Sequence, residues 1–150
     1  KVKTLDGEVV ELSKLKGKLV IVDYWGTWCP PCRREIPHFV KLKEEFGDKL
    51  VIVGMTWENG ASDARAIAKV KRFAEKFKIG YRLTLLKKQA EYQDKVPDFE
   101  GFPTTLFIDK QGRVRAKEVG YRDFSTLHEL LHALDDEDTP PEKRTRSGPF

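Results

Sequence analysis

Sulfur is scarce in this chain, with two cysteines and one methionine among 150 residues. The cysteines are Cys29 and Cys32, at CxxC spacing. A structural disulfide framework needs more cysteines at wider spacings, so the pair does not read as a scaffold staple. A zinc ribbon needs a second Cys pair, and none exists. Long apolar runs are also missing. The longest, such as Leu19-Val20-Ile21-Val22, have strand length and fall far short of the roughly 18 residues of a membrane span. There is no basic stripe interleaved with aromatics. The net charge of +4 comes from 28 basic and 24 acidic residues mixed along the chain, which reads as a solvated surface and excludes nucleic acid as an expected partner. Internal repeats are absent. No secretory signal is visible, and the chain opens Lys1-Val2-Lys3-Thr4 without Met, as a processed or truncated chain would. That leaves room for a removed export signal or membrane anchor.

What is present suffices for one domain with its own core. Residues 2–12 read as two short extended pieces about an Asp6-Gly7 turn. Leu19 to Tyr24 is an apolar, β-branched run, expected as a buried strand. A helix is expected from Pro30, because proline is tolerated where the first amides have no partner. Ile36, Phe39, Val40 and Phe46 recur at helical spacing, Gly47 is a stop signal, and Pro37 should kink the helix. Further strands are expected at Leu50–Trp57, Arg82–Leu86, Thr104–Asp109 and Val114–Val119, the last two as a hairpin about Lys110-Gln111-Gly112. Further helices are expected at Asp63–Phe77, with Ile67, Val70, Ala74 and Phe77 inward, and at Asp123–Asp136, with Phe124, Leu127, Leu131 and Leu134 inward. A short helix is expected within 87–96. Parallel strands with crossover helices, then a hairpin and a terminal helix, make an α/β sandwich. The expected domain is 1–136, followed by a charged, Pro-rich tail at 137–150.

Two cysteines at i and i+3 at a helix start carry specific chemistry. The unpaired amides and the positive end of the helix dipole favour thiolate at Cys29. Cys32 lies one turn deeper. Cys29 is therefore expected to attack and Cys32 to resolve the mixed disulfide. Pro30 and Pro31 remove two donors that would otherwise reach the sulfur. Asp23 lies inside an apolar strand, where burial would raise its pKa and make it a candidate proton acceptor for Cys32; the alternative is a carboxylate at a strand end reaching water. Glu35 lies one turn after Cys32 and could tune the thiols or stay solvated. Glu58 is a further carboxylate near the same edge. Trp25 and Trp28 are expected to shield the site and offer apolar contact.

The run Trp28-Cys29-Pro30-Pro31-Cys32, preceded by Val22-Asp23-Tyr24-Trp25-Gly26-Thr27, resembles the active site of thioredoxin-like proteins, and within them the TlpA/ResA-like thiol–disulfide reductases. The likeness continues through Arg33-Arg34-Glu35-Ile36-Pro37, Val51-Ile52-Val53-Gly54, Gly101-Phe102-Pro103-Thr104-Thr105 and Lys110-Gln111-Gly112-Arg113, and spans residues 4–135. It implies a thioredoxin-like three-layer sandwich with a central mixed β-sheet and an N-terminal β-hairpin extension. It implies a cis bond before Pro103, which would bring the Phe102 and Thr104 backbone to the sulfurs, and a substrate surface of Trp28, Pro30, Pro31, Phe102, Pro103 and Thr104. Thioredoxins carry an acidic residue where Asp23 stands, whereas many TlpA-like members carry an amide; Glu35 matches a glutamate near the disulfide in ResA-like reductases. The implied partners are protein disulfides and a thiol electron donor. The implied setting is extracytoplasmic, in periplasm or cell envelope, often with a membrane tether. A monomer is expected, and no cofactor, since the cysteines carry the electrons.

Two rival readings remain at this point. One is a copper-binding module built on the two thiolates, which lacks an obvious third ligand. The other is a disulfide oxidant or isomerase, which shares the same motif. His128-Glu129-Leu130-Leu131-His132 also matches HExxH. The Leu127/Leu131/Leu134 stripe is expected to turn Glu129 and His132 towards solvent. Little chain follows to supply a third ligand, so no metal is assigned there. His38 is expected to be a surface or packing residue beside the active helix.

Overall fold

The computed structural model describes residues 1–59, 63–87, 90–93, 95–96 and 98–137. Of the tail expected at 137–150, Glu137 is the last residue of the final helix, and 138–150 lies outside the described residues. The elements run β1 (Val2–Lys3), β2 (Val9–Val10), β3 (Leu19–Trp25), α1 (Pro30–Phe46), β4 (Leu50–Trp57), α2 (Asp63–Lys76), β5 (Arg82–Leu86), α3 (Ala90–Gln93), β6 (Thr104–Ile108), β7 (Val114–Val119) and α4 (Phe124–Glu137). β1 and β2 form a separate antiparallel hairpin, and the other five strands form one sheet in the order β5-β4-β3-β6-β7. β3, β4 and β5 are mutually parallel, while β6 pairs antiparallel with β3 and β7 antiparallel with β6, so the sheet is mixed.

β3 is buried along its whole length because the sheet is covered on both faces. Strand alternation divides its side chains between two cores. Leu19, Ile21 and Trp25 join Ile36, Phe39 and Leu42 of α1 and Leu127 and Leu131 of α4. Val20, Val22 and Tyr24 join Val51, Val53, Tyr92 and Val96 on the other face. Asp23, between Val22 and Tyr24, therefore belongs to the α1 face.

Gly47 caps α1 at φ 55°, a conformation that suits glycine. Pro37 sits inside α1 and has no amide for the Arg33 carbonyl. α2 ends at Lys76, so Phe77 lies just beyond it, and its fully buried residues are Ala66 and Val70. α4 starts after Asp123, whose carboxylate accepts the Thr126 N–H at 2.9 Å, an N-cap bond. No described helix is long and apolar enough to cross a membrane.

Candidate active site

β3 delivers the chain to Gly26, and three contacts fix the loop that follows. The Thr27 N–H donates to Glu58 Oε1 at 3.0 Å. The Trp28 indole N–H donates to the Trp57 carbonyl at 2.8 Å. The Cys29 N–H donates to the Gly26 carbonyl at 3.2 Å. A side chain at Gly26 would lie 2.7 Å from the Trp57 carbonyl and overlap the Trp28 indole, so only glycine fits that crossing. Glu58 is thus a buried holder of the loop, tied also to Lys69 at 3.8 Å.

Cys29 is the N-cap of α1, with Pro30 and Pro31 in the first two helical positions. Neither proline has an amide. The first N–H the helix offers is that of Cys32, and it points at Cys29 Sγ from 3.3 Å. The next, from Arg33, is already taken by the Cys29 carbonyl at 3.1 Å. One backbone donor and the helix dipole therefore converge on a single sulfur. Cys29 and Cys32 are joined as a disulfide with Cα atoms 5.3 Å apart. Both are buried, at 3% and 1% exposure, while Trp28 beside them is 46% exposed.

The Phe102–Pro103 peptide is cis. The Phe102 ring stands edge-on to Trp28 at 5.4 Å and against Phe99 at 5.2 Å and Tyr92 at 5.3 Å. This aromatic group borders the disulfide loop. Thr104 is fully buried, its hydroxyl donates to the Gly101 carbonyl at 2.5 Å, and its ladder neighbours are Tyr24 and Val119. Its side chain belongs to the sheet, so the exposed part of the expected substrate surface is made by Trp28, Pro30 and the half-buried Pro31 and Phe102.

Asp23 and Glu35 are each 1% exposed, so neither is the solvated carboxylate of the alternative readings. Thr105 stands opposite Asp23 in the ladder, and its hydroxyl lies 3.5 Å from Asp23 Oδ1 and 3.4 Å from Glu35 Oε1. One hydroxyl proton serves one carboxylate at a time. Glu35 Oε2 also accepts the Arg122 N–H at 2.7 Å. Burial pushes the Asp23 carboxyl well above the usual carboxylate range; the Glu35 charge adds to this and the Thr105 hydroxyl opposes it. Burial pushes Glu35 up to about 7, against the opposing bonds from Arg122 and Thr105. Tyr81 is raised too, by burial and then by the charges of Asp23 and Glu35. The two carboxyls thus form one buried titrating pair on the α1 face. Thr105, Tyr81 and Arg122 were not singled out from the sequence. Strand alternation from Pro103 could have found Thr105; nothing local marks the other two.

His38 Nε2 lies 2.9 Å from the Tyr121 hydroxyl in a half-buried contact beside α1. Glu129 is exposed, but His132 does not face open solvent: it is half-buried against Phe46 of α1, with ring centroids 5.1 Å apart. His132 flanks the leucine stripe by about 100° from Leu131, and the neighbouring helix covers that flank.

The model of the family described as Redoxin matches residues 1–131. The thioredoxin-like protein YneN of Bacillus subtilis is 35% identical over 120 residues, 79% of this chain and 66% of that protein. The thiol-disulfide oxidoreductase ResA of Bacillus cereus is 32% identical over 137 residues, 87% of this chain and 71% of that protein. The chain thus spans about two thirds of these relatives' length. A thiol:disulfide interchange protein of the thioredoxin family from Chlorobium tepidum superposes with a TM-score of 0.74 at 27% identity, over 88% of this chain and 90% of that one. With CxxC at the start of α1, beside the cis bond of a mixed thioredoxin-like sheet, the chain belongs to the Redoxin family and, within it, to the thiol–disulfide oxidoreductases of the ResA kind.

Proposed function

We propose that this domain reduces disulfides of protein substrates outside the cytoplasm, as a monomer, and is recharged by a thiol electron donor. Cys29 thiolate attacks the substrate disulfide. A Cys29–substrate S–S bond forms, and the second substrate sulfur leaves as thiolate. Cys32 then gives up its proton and attacks Cys29 Sγ. The Cys29–Cys32 bond forms, the first substrate sulfur leaves, and two electrons have passed to the substrate. The observation that carries this reading is the single Cys32 amide aimed at Cys29 Sγ where both prolines have none. It favours negative charge on Cys29 and not on Cys32. The Asp23/Glu35 pair is the proposed acceptor for the Cys32 proton, since a carboxyl near 7 exchanges protons readily at neutral pH. Trp28, Pro30, Pro31 and Phe102 form the proposed substrate surface, with the buried Pro103 shaping the turn behind it. A membrane tether outside the present sequence would fit the ResA likeness.

Trapping tests the roles. Cys32→Ser should accumulate a mixed disulfide through Cys29; accumulation through Cys32 in Cys29→Ser would reverse them. The reduction potential tests direction: a value near about −270 mV supports a reductase, one near about −120 mV an oxidant.

A further inference from the structure

The far end of α1 carries a second cluster. His128 Nε2 lies 2.8 Å from Glu45 Oε1 and 3.2 Å from His132 Nε2, and His132 Nε2 lies 3.8 Å from the same Glu45 oxygen. Among the described residues this is the group of three metal-ligating side chains whose donor atoms converge. It lies about 24 Å along α1 from Cys29, at about 1.5 Å per residue, so it is no part of the redox site.

Hydrogen bonding serves this arrangement badly. A ring nitrogen offers either one proton or one lone pair in the ring plane. If His128 Nε2 is protonated, its proton goes to Glu45, and the 3.2 Å contact to His132 Nε2 has none of its own. If it is not protonated, it faces the Glu45 carboxylate lone pair to lone pair. A cation satisfies all three lone pairs at once. The spacing suits it: bonds of about 2.0–2.1 Å in a tetrahedron put ligand atoms about 3.3 Å apart, the middle of the three distances here. The rings are also seated. Phe46 packs on His132 at 5.1 Å and on His128 at 6.2 Å, and Phe124 packs on His128 at 5.1 Å. His128 and His132 are one helical turn apart on one face, and Glu45 arrives from the neighbouring helix. The third ligand therefore comes from far upstream, not from the short segment after His132.

We propose that Glu45, His128 and His132 form a binding site for a borderline divalent cation of the zinc type, tying the C-terminal half of α1 to α4. Imidazole and carboxylate donors suit such an ion. The side chains keep 28–44% exposure, which leaves the fourth coordination position open to water.

The test uses zinc chloride and the full chain with Cys29–Cys32 oxidised, so that the thiols cannot bind metal. Competition against a chromogenic chelator should show one zinc per chain, and the thermal midpoint should rise with added zinc. His132→Ala and Glu45→Gln should each weaken binding at least about tenfold and abolish the zinc-dependent shift. A Cys29→Ser/Cys32→Ser double variant should bind as the parent does. Zinc-free melts check that each variant folds, and Glu45→Gln, at an exposed position, decides the matter if His132→Ala does not fold. Absence of stoichiometric binding to the oxidised chain, or binding that survives both ligand variants, would overturn the proposal.

Discussion

Glu35→Gln should remove a large part of the pH dependence of stability. The glutamate is 1% exposed and its folded value is about 7 against an ordinary 4.5. A raised folded value means that the native state holds the proton after the unfolded chain has released it. Stability from this group is therefore complete below about pH 4.5 and is lost as pH climbs to about 7. The gap corresponds to about 3 kcal/mol. Gln cannot ionise, yet its side-chain oxygen can still accept the Arg122 N–H that now sits 2.7 Å from Glu35. Asp23 remains in the variant. Its repulsion with Glu35 disappears with the glutamate and enters the difference with the same sign. Urea unfolding of both oxidised proteins from pH 4 to 8 measures the effect. The parent should lose about 3 kcal/mol relative to the variant across that range, with half of the loss reached near about pH 5.8 and the difference levelling off above about pH 7. A difference that stays flat to within about 1 kcal/mol would mean that Glu35 titrates in the folded state close to its ordinary value, and the buried-pair argument would fail.

Thr105→Val removes the hydroxyl whose bond lowers both carboxyls, so Glu35 should titrate above 7 and Asp23 should rise as well, as read by carboxyl carbon NMR across pH 5–9. Gly54→Ala places a methyl 2.5 Å from Leu83 Cδ2 and 2.8 Å from Trp25 Nε1. Overpacking of this kind should destabilise by about 1–3 kcal/mol in chemical denaturation, and an unchanged midpoint would mean that the indole has room to move.

How far the sequence foretold this depended on where each residue's partners lie. β4 and β5 fall on the expected residues because apolar, β-branched runs bounded by polar residues have few other uses. The start of α1 at Pro30 and its stop at Gly47 follow from local chemistry, a missing amide and a positive φ. The position of Asp23 on the α1 face follows from strand period alone. Its depth does not, because β6 supplies Thr105 from 82 residues away. Glu35 is the stronger case. Its spacing from Cys32 is legible, but its burial rests on the Arg122 amide, which the chain brings back from 87 residues downstream. The HExxH run failed in the same way. The leucine stripe gives the buried face of α4, but only the packing of α1 against α4 shows that Glu45 meets both histidines. Period reads one element's face; it does not read what a distant element lays upon it.

The site's chemistry depends on a wet side and a dry side meeting at one disulfide. Outside, Trp28 is 46% exposed and leans on Phe102, so an apolar ledge stands beside the sulfurs. Inside, the Asp23/Glu35 pair lies on the sheet face that packs against α1, away from water. In the proposed mechanism Cys29 needs charge to attack and receives an amide, while Cys32 must keep its proton until the mixed disulfide forms and receives none, since its own N–H is spent on Cys29. Cys32, like Cys29, belongs to the same buried core as Trp25 and Ile36, so the amide and not burial distinguishes the two sulfurs. Burial raises the energy of a doubly ionised carboxylate pair, so in the proposed mechanism a proton arriving from Cys32 finds an acceptor that gains by taking it. In the proposed mechanism the two prolines in the first turn of α1 leave one amide to favour charge on Cys29, and the carboxyls of Asp23 on β3 and Glu35 on α1 take the proton of Cys32.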